Sequence, residues 1–243
     1  MHLTPEQEAQ VRRQLEAHKH DNYTVDIELA PGFVLEDFRV HGDVFRPDVT
    51  ASVYLARWLF FNNGDYRGKN VFDIGCGTGI QGIVAAKYGA MHVSCYDTSS
   101  RAVQNARDNA EHFGLEWLMD FEERDLFTQW PCAQRISLEI PRHYVIFNHP
   151  FFPEEPTAHE WREERVAPAM LGGEKLIHRF LDAVQNDAAP DLKIIMSFFH
   201  LAGDTNNPAV QAPKHGYKVA ERFRVELTQG LQKGQFSIYE LSR

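Results

Sequence analysis

The chain has 243 residues, 43% of them hydrophobic and 24% charged. That length suits one large domain with a substantial core, and the balance excludes disordered and collagen-like chains. The formal net charge of −9 and pI near 5.7 exclude long-range attraction to phosphate backbones, so a nucleic-acid contact would need a local basic cleft. Three cysteines, Cys76, Cys95 and Cys132, give neither a disulfide framework nor a CxxC pair, which suits a reducing compartment. The opening residues lack an apolar leader. The greasiest run, Val53 to Phe61, is short and carries Arg57. No membrane partner and a cytoplasmic location are therefore expected.

Residues 1–20 read as a polar helix. Thr4 can cap it, Pro5 takes the first position and Gln7 completes a capping box. Its apolar stripe is thin, which predicts a surface position. Alternation from Tyr23 to Val40 around Pro31-Gly32 predicts a β-hairpin. Residues 1–45 form an N-terminal appendage in this reading, with residues 46–243 as the main domain.

A helix is predicted from Asp48 to Asn63-Gly64. Strand and helix signals then alternate: a strand at Val71–Ile74, helical spacing from Ile80 to Tyr88, a strand at Met91–Tyr96, helical spacing from Ala102 to Phe113, and a strand at Leu115–Phe121. Tyr144–Phe147 and Leu192–Phe199 read as buried strands on either side of a helical stripe from Leu176 to Val184. Tyr217–Leu227 and Gln235–Leu241 read as a terminal antiparallel pair. Near-continuous apolar strands between amphipathic helices mean a parallel sheet covered on both faces. The expected fold is α/β, doubly wound and seven-stranded.

In open α/β sheets, ligands bind beyond the carboxyl ends of the strands. The first strand of the main domain ends in Asp73-Ile74-Gly75-Cys76-Gly77-Thr78-Gly79 and enters a helix. Glycines let the backbone turn and approach a ligand. Asp97, eighteen residues after Gly79, can hold a ribose hydroxyl pair. Two cofactors compete. Gly77 to Gly82 satisfies the dinucleotide pattern GxGxxG. A carboxylate at Asp73 would repel a pyrophosphate and favour an ammonium, which fits the cationic, phosphate-free S-adenosylmethionine better.

Over residues 44–243 the sequence resembles class I S-adenosylmethionine-dependent methyltransferases. The resemblance implies that Asp73, Gly75, Cys76, Gly77, Thr78 and Gly79 form the cofactor loop. It also implies that Asp97 follows the second strand, and that Asp125 and Leu126 contact the adenine. Phe147-Asn148-His149-Pro150-Phe151-Phe152 resembles the Asn-Pro-Pro-aromatic signature of the group that includes protein-glutamine and adenine-N6 methyltransferases.

The physical logic suits an amide or amine nitrogen, whose lone pair needs orienting. Asn148 and the main-chain carbonyl of His149 would accept from the NH₂ group, with Asn148 also bordering the cofactor. Pro150 would fix the turn, and Phe151 would stack on the substrate. His149 stands where the signature has proline. Its imidazole titrates near neutrality, which opens a second reading: a small-molecule O-, N- or C-methyltransferase with His149 as base. A third reading is a binding protein without turnover.

Val44 to Thr50 is similar to the Phe/Tyr-x-Pro-x-x-Thr entry segment of the same group. Phe45, Pro47 and Thr50, together with Phe152 and Trp161, are the candidate substrate contacts. Gly172-Gly173-Glu174-Lys175 resembles its glycine-rich helix entry. The methyl acceptor, whether protein, small molecule or nucleic acid, is not fixed by the sequence. No His/Asp/Glu cluster has metal-ligand spacing.

Overall fold

In the computed structural model, which describes residues 3–48, 51–128, 144–153, 166–185 and 191–243, the chain opens with helix α1 (Pro5–Ala17). Its capping box is formed: the Thr4 hydroxyl accepts from the Gln7 N–H, and the Gln7 side chain accepts from the Thr4 N–H at 2.9 Å. The helix differs from the surface position expected of it. Val11 and Leu15 join the core, and Gln7, Gln10 and Gln14 are buried beside them. Buried polar groups persist where they are hydrogen-bonded. Gln7 Nε2 donates to the Leu201 carbonyl at 2.9 Å and Gln10 Nε2 to the Leu231 carbonyl at 2.8 Å. Glutamine counts as polar in a periodicity reading, so the apolar stripe is narrower than the buried face.

Strands β1 (Tyr23–Ala30) and β2 (Phe33–Val40) form the antiparallel hairpin, which packs against helices α2 (Ser52–Phe61) and α4 (Ser100–His112). The main chain around the end of β2 does not face water alone. The Arg39 N–H donates to Asn109 Oδ1 at 2.8 Å and the His41 N–H to Asn105 Oδ1 at 2.9 Å. Both asparagines lie fully buried in α4, so side chains satisfy edge groups that would otherwise be exposed.

The main sheet contains β3 (Asn70–Ile74), β4 (His92–Asp97), β5 (Met119–Glu123), β6 (Tyr144–Phe147), β7 (Lys193–Phe199), β8 (Lys218–Leu227) and β9 (Gly234–Ser242). Their order is β5-β4-β3-β6-β7-β9-β8. The first five strands in that order run parallel, whereas β9 is antiparallel to both β7 and β8. Helices α3 (Ile80–Lys87), α5 (Gly173–Gln185) and the short α6 (Pro208–Gln211) complete the α-helices among the described residues.

Every residue of β3 and β6 is buried, as central parallel strands require. Strand β5 starts later than expected because Leu115 and Leu118 belong to the turn closing α4. The Leu115 N–H bonds the Ala110 carbonyl, and the Leu118 N–H bonds the Leu115 carbonyl. The helix expected from Asp48 is described from Ser52 onward.

One hydrophobic core takes in residues of α1, the hairpin and the sheet alike. No helix of the described residues is long and apolar enough to cross a membrane. The chain moves from β3 outward to β5 on one side and from β6 to β7 on the other. That reversal puts a topological switch point between β3 and β6, where a doubly wound sheet binds its ligand.

Candidate active site

A cavity of about 390 Å³ opens at the carboxyl ends of β3, β4 and β6, at the switch point. Its floor is the glycine loop. The Cys76 N–H donates to the Tyr96 carbonyl at 3.0 Å and the Gly79 N–H to the Cys76 carbonyl at 2.7 Å, closing a tight turn into α3. Gly79 is fixed for two reasons. Its φ is +81°, and a Cβ there would lie 2.9 Å from the Ala106 Cβ of α4. The Thr78 carbonyl accepts from Asn109 Nδ2 at 2.9 Å, so the asparagine that caps the hairpin edge also steadies the loop. Cys76 is buried against Cys95, and the hydrogen bond between the two thiols, with burial second, pushes its thiol pKa up. It is packed as a thiol and is not poised as a nucleophile.

Asp97 is on the wall. Its Oδ2 accepts from the Gly77 N–H at 3.0 Å and its Oδ1 from the Ser99 N–H at 2.9 Å. Burial raises its pKa, opposed by the N–H groups of Ser99, Gly77 and Thr98. A carboxylate offers about four acceptor sites, so capacity remains for a ribose hydroxyl pair. Asp125 and Leu126 line the same end. Asp125 Oδ2 accepts from Arg179 Nη2 at 2.7 Å, and Oδ1 from the Phe127 N–H at 3.0 Å.

Asp73 departs from the expected ammonium contact. It is absent from the cavity wall and nearly fully buried beneath α3, where its Oδ2 accepts from the Gly82 N–H at 2.9 Å. Burial raises its pKa to about 7 despite that bond. A Cβ on Gly82 would meet Cys95 Sγ at 2.9 Å and Asp73 Oδ2 at 3.1 Å. The last glycine of the GxGxxG window therefore serves helix–sheet packing. A side chain at the inner end of a strand cannot both pin the following helix and reach the ligand.

The wall chemistry fits an adenosyl sulfonium. Asp43, Asp97 and Asp125 stand on it, and among the described lining residues Arg124 is the single Lys or Arg. The Gly77 N–H, which a pyrophosphate would need, is already taken by Asp97. Asp43 and Asp125 are paired with Arg101 and Arg179, so the preference for a cation over a phosphate falls to Asp97.

Asn148 lies at the end of β6, its carboxamide held from both sides. Nδ2 donates to the Ser52 hydroxyl at 3.0 Å, and Oδ1 accepts from the Ser197 hydroxyl. A carboxamide oxygen has a second lone pair, so an acceptor site remains for a ligand.

His149 lines the cavity, but its ring is engaged in packing and in a main-chain hydrogen bond. It is buried, its Nε2 bonds the Asn206 carbonyl at 3.1 Å, and Phe198 stacks on it at 11° with 6.1 Å between centroids. Its Nδ1 has no partner, and burial lowers its pKa to about 4. Among the described residues no hydrogen bond ends on the His149 carbonyl.

Pro150 and Phe152 tie this turn to the entry of α5. The Pro150 carbonyl accepts from Asn206 Nδ2 at 3.3 Å, the Phe152 N–H donates to the Met170 carbonyl at 3.0 Å, and the Gly173 N–H donates to the Phe152 carbonyl at 2.9 Å. A Cβ on Gly173 would fall 1.9 Å from the Pro150 oxygen, which is why a glycine stands at that helix entry. Phe151 and Phe152 line the cavity, and Phe151 meets the His149 ring edge-on at 5.6 Å.

Phe45 and Pro47 line the cavity from the segment before α2. Phe45 stacks on His18 at 4.3 Å, and Arg46 ties the segment to Asp48, Tyr23 and the Ala17 carbonyl. Thr50 and Trp161 lie outside the described residues. Among the described residues no group of three or more side chains could hold a metal.

The structure adds Ser52, Ser197, Gln14 and Gln232 to the sequence-derived set. The serines carry no local signal, because they meet Asn148 from far along the chain. Gln7, Gln10 and Gln14 do carry one: helical spacing on the same face as Val11.

A family model described as ribosomal protein L11 methyltransferase (PrmA) matches residues 59–128, which hold the glycine loop, Asp97 and Asp125. The ribosomal protein L11 methyltransferase of Aeromonas hydrophila is 51% identical over 59 residues, covering 24% of this chain and 20% of that protein. The chain thus aligns with about a fifth of that relative's length.

Among solved structures, a ribosomal protein L11 methylase from Lactobacillus delbrueckii superposes with a TM-score of 0.57 at 16% identity, over 90% of this chain and 98% of that one. A precorrin-6y C5,15-methyltransferase from Geobacter metallireducens gives 0.52 at 16%, over 82% and 92%. At such identities the structural likeness speaks for the fold alone, whereas the family match speaks for residues 59–128. Glycine loop, Asp97, sheet order and the family match over residues 59–128 together are those expected of a class I S-adenosylmethionine-dependent methyltransferase.

Proposed function

We propose that the protein transfers a methyl group from S-adenosylmethionine to an amide or amine nitrogen, and that the nitrogen belongs to a protein. Asn148 carries this reading: a carboxamide fixed by two hydroxyls at the cofactor cavity, beside the His149 main-chain carbonyl, which no described residue engages. Asp97 would hold the ribose, Asp125 and Leu126 the adenine, and the glycine loop the remainder.

When bound, the cofactor supplies an electrophilic methyl on a good leaving group. The chain's own part is therefore positioning and exclusion of water. The free lone pair on Asn148 Oδ1 and the His149 carbonyl would accept the two N–H groups of the acceptor. Its nitrogen lone pair would then point along the line of attack. Ser197 and Ser52 keep the carboxamide from rotating, and Phe151 gives a planar substrate an apolar face.

The His149 ring is a poor candidate for a base. Its Nε2 is spent on a main-chain carbonyl, and its Nδ1 is sealed from solvent. The main-chain carbonyl of that residue is the useful group, which explains how the signature proline can be replaced.

The L11 methyltransferase relatives act, by name, on a ribosomal protein, and the net charge of −9 favours a basic partner. Ribosomal proteins are therefore the first acceptors to try. Labelled methyl transfer to a bacterial ribosomal-protein fraction, with Asn148→Ala alongside, tests the reading. The wild-type protein should label protein nitrogen, and Asn148→Ala should lose roughly 100-fold in rate. Equal rates would remove Asn148 from its assigned role.

A further inference from the structure

The three buried glutamines of α1 do not behave alike. Gln7 and Gln10 spend their amide N–H groups on carbonyls at the far side of the sheet, Leu201 after β7 and Leu231 between β8 and β9. Gln14, one turn beyond Gln10, is 1% exposed, lines the cavity and makes no side-chain hydrogen bond to any described residue. A buried carboxamide left unpaired is costly. Two clamped glutamines deliver a third, unsatisfied one to a ligand cavity, and this arrangement calls for a partner inside it.

The place of Gln14 narrows that partner. Asp97 and Asp125 follow β4 and β5, on one side of β3. Gln14 is anchored through its helix to the β7 and β9 side. There the Gln232 side chain accepts from the Ala51 N–H, and Ser52 in turn holds Asn148. With the adenosine assigned to the Asp97 side, the cofactor's amino-acid portion is the part that reaches toward Gln14. Its carboxylate needs hydrogen-bond donors, yet the only Lys or Arg among the described lining residues is Arg124, which follows β5 at the opposite end. A primary amide is a neutral donor suited to that oxygen.

We propose that Gln14 binds the carboxylate of the cofactor's amino-acid portion, which makes α1 part of the cofactor site. The inference does not depend on the acceptor being an amide or amine.

Calorimetry of the full chain with two probes tests it. S-adenosylhomocysteine carries the carboxylate, and 5′-methylthioadenosine lacks it. Gln14→Leu should weaken S-adenosylhomocysteine by roughly tenfold in Kd, about 1.4 kcal/mol, and leave 5′-methylthioadenosine unchanged. Gln14→Glu, which sets a negative charge against the carboxylate, should weaken the first probe further and again spare the second. The thermal midpoint of unliganded Gln14→Leu should not fall, since an unpaired buried amide has been removed. If Gln14→Leu does not fold, Gln14→Met takes its place in the same comparison. Equal losses for both probes, or no loss for either, would overturn the proposal.

Discussion

Gly173→Ala tests how the turn bearing Asn148 is positioned, through a residue that does not itself line the cavity. The added Cβ would lie 1.9 Å from the Pro150 oxygen and 2.3 Å from Asn206 Nδ2, where real Cβ contacts stay beyond 3.0 Å. The difference, 3.0 − 1.9, means the Pro150 carbonyl or the start of α5 must move by at least 1.1 Å. The Pro150 oxygen is main chain and cannot swing aside, and the Asn206 side chain can yield only by leaving that oxygen. The Asn206–Pro150 hydrogen bond is the first contact to break. Overpacking of this kind destabilises by about 1–3 kcal/mol. A displacement near 1 Å at the reacting groups costs roughly 100-fold in rate. The assay is kcat for methyl transfer together with the affinity for S-adenosylhomocysteine. The account expects kcat to fall by about two orders of magnitude while affinity changes little, because Gly173 is remote from the glycine loop and Asp97. Wild-type kcat in a folded Gly173→Ala protein would refute the coupling between α5 and the Asn148 turn.

His149→Phe should keep kcat within about tenfold, because the main-chain carbonyl survives and only one neutral hydrogen bond is lost. Burial lowers the ring's pKa to about 4, so it stays neutral from pH 6 to 8 and the rate should show no step from it there. A loss of 100-fold or more, with a new pH dependence, would restore the ring as a base. Asp73 gives a stability test. Its folded pKa of about 7 lies above the usual carboxylate value near 4. The folded state therefore holds more protons between those values, and stability falls as pH rises through that window. Asp73→Asn should remove this slope and gain on the wild type from pH 4 to 7 in urea unfolding. Parallel slopes would contradict the burial argument.

The strands of the sheet were legible because central parallel strands are buried at every position and so mostly apolar, as β6 is throughout and β3 is apart from Asn70 and Asp73. The glycine loop was legible because its left-handed turns need glycine at fixed spacing. Two kinds of feature were hidden. The position of α1 depends on glutamines bonding carbonyls about 200 residues away, and periodicity counts such residues as polar. The support of Asn148 comes from Ser52 and Ser197, which only tertiary folding brings together. Asp73 shows the opposite failure. The motif drew it as a ligand contact, but its position as the penultimate residue of β3, beneath α3, commits it to the Gly82 N–H. His149 reads as a titratable group in sequence, and burial among Phe147, Phe151 and Phe198 makes its ring a packing element.

The account rests most directly on the cavity at the strand ends being an S-adenosylmethionine site held by Asp97. Calorimetric titration with S-adenosylmethionine, wild type against Asp97→Ala, measures this. Asp97 holds the Gly77 and Ser99 N–H groups, so circular dichroism should accompany each titration. The account predicts binding at one site and a loss of at least tenfold in the variant, from a charge-assisted hydrogen bond of about 1.5–3 kcal/mol. A folded wild-type protein that does not bind S-adenosylmethionine, or a folded Asp97→Ala protein that binds it equally well, would contradict it.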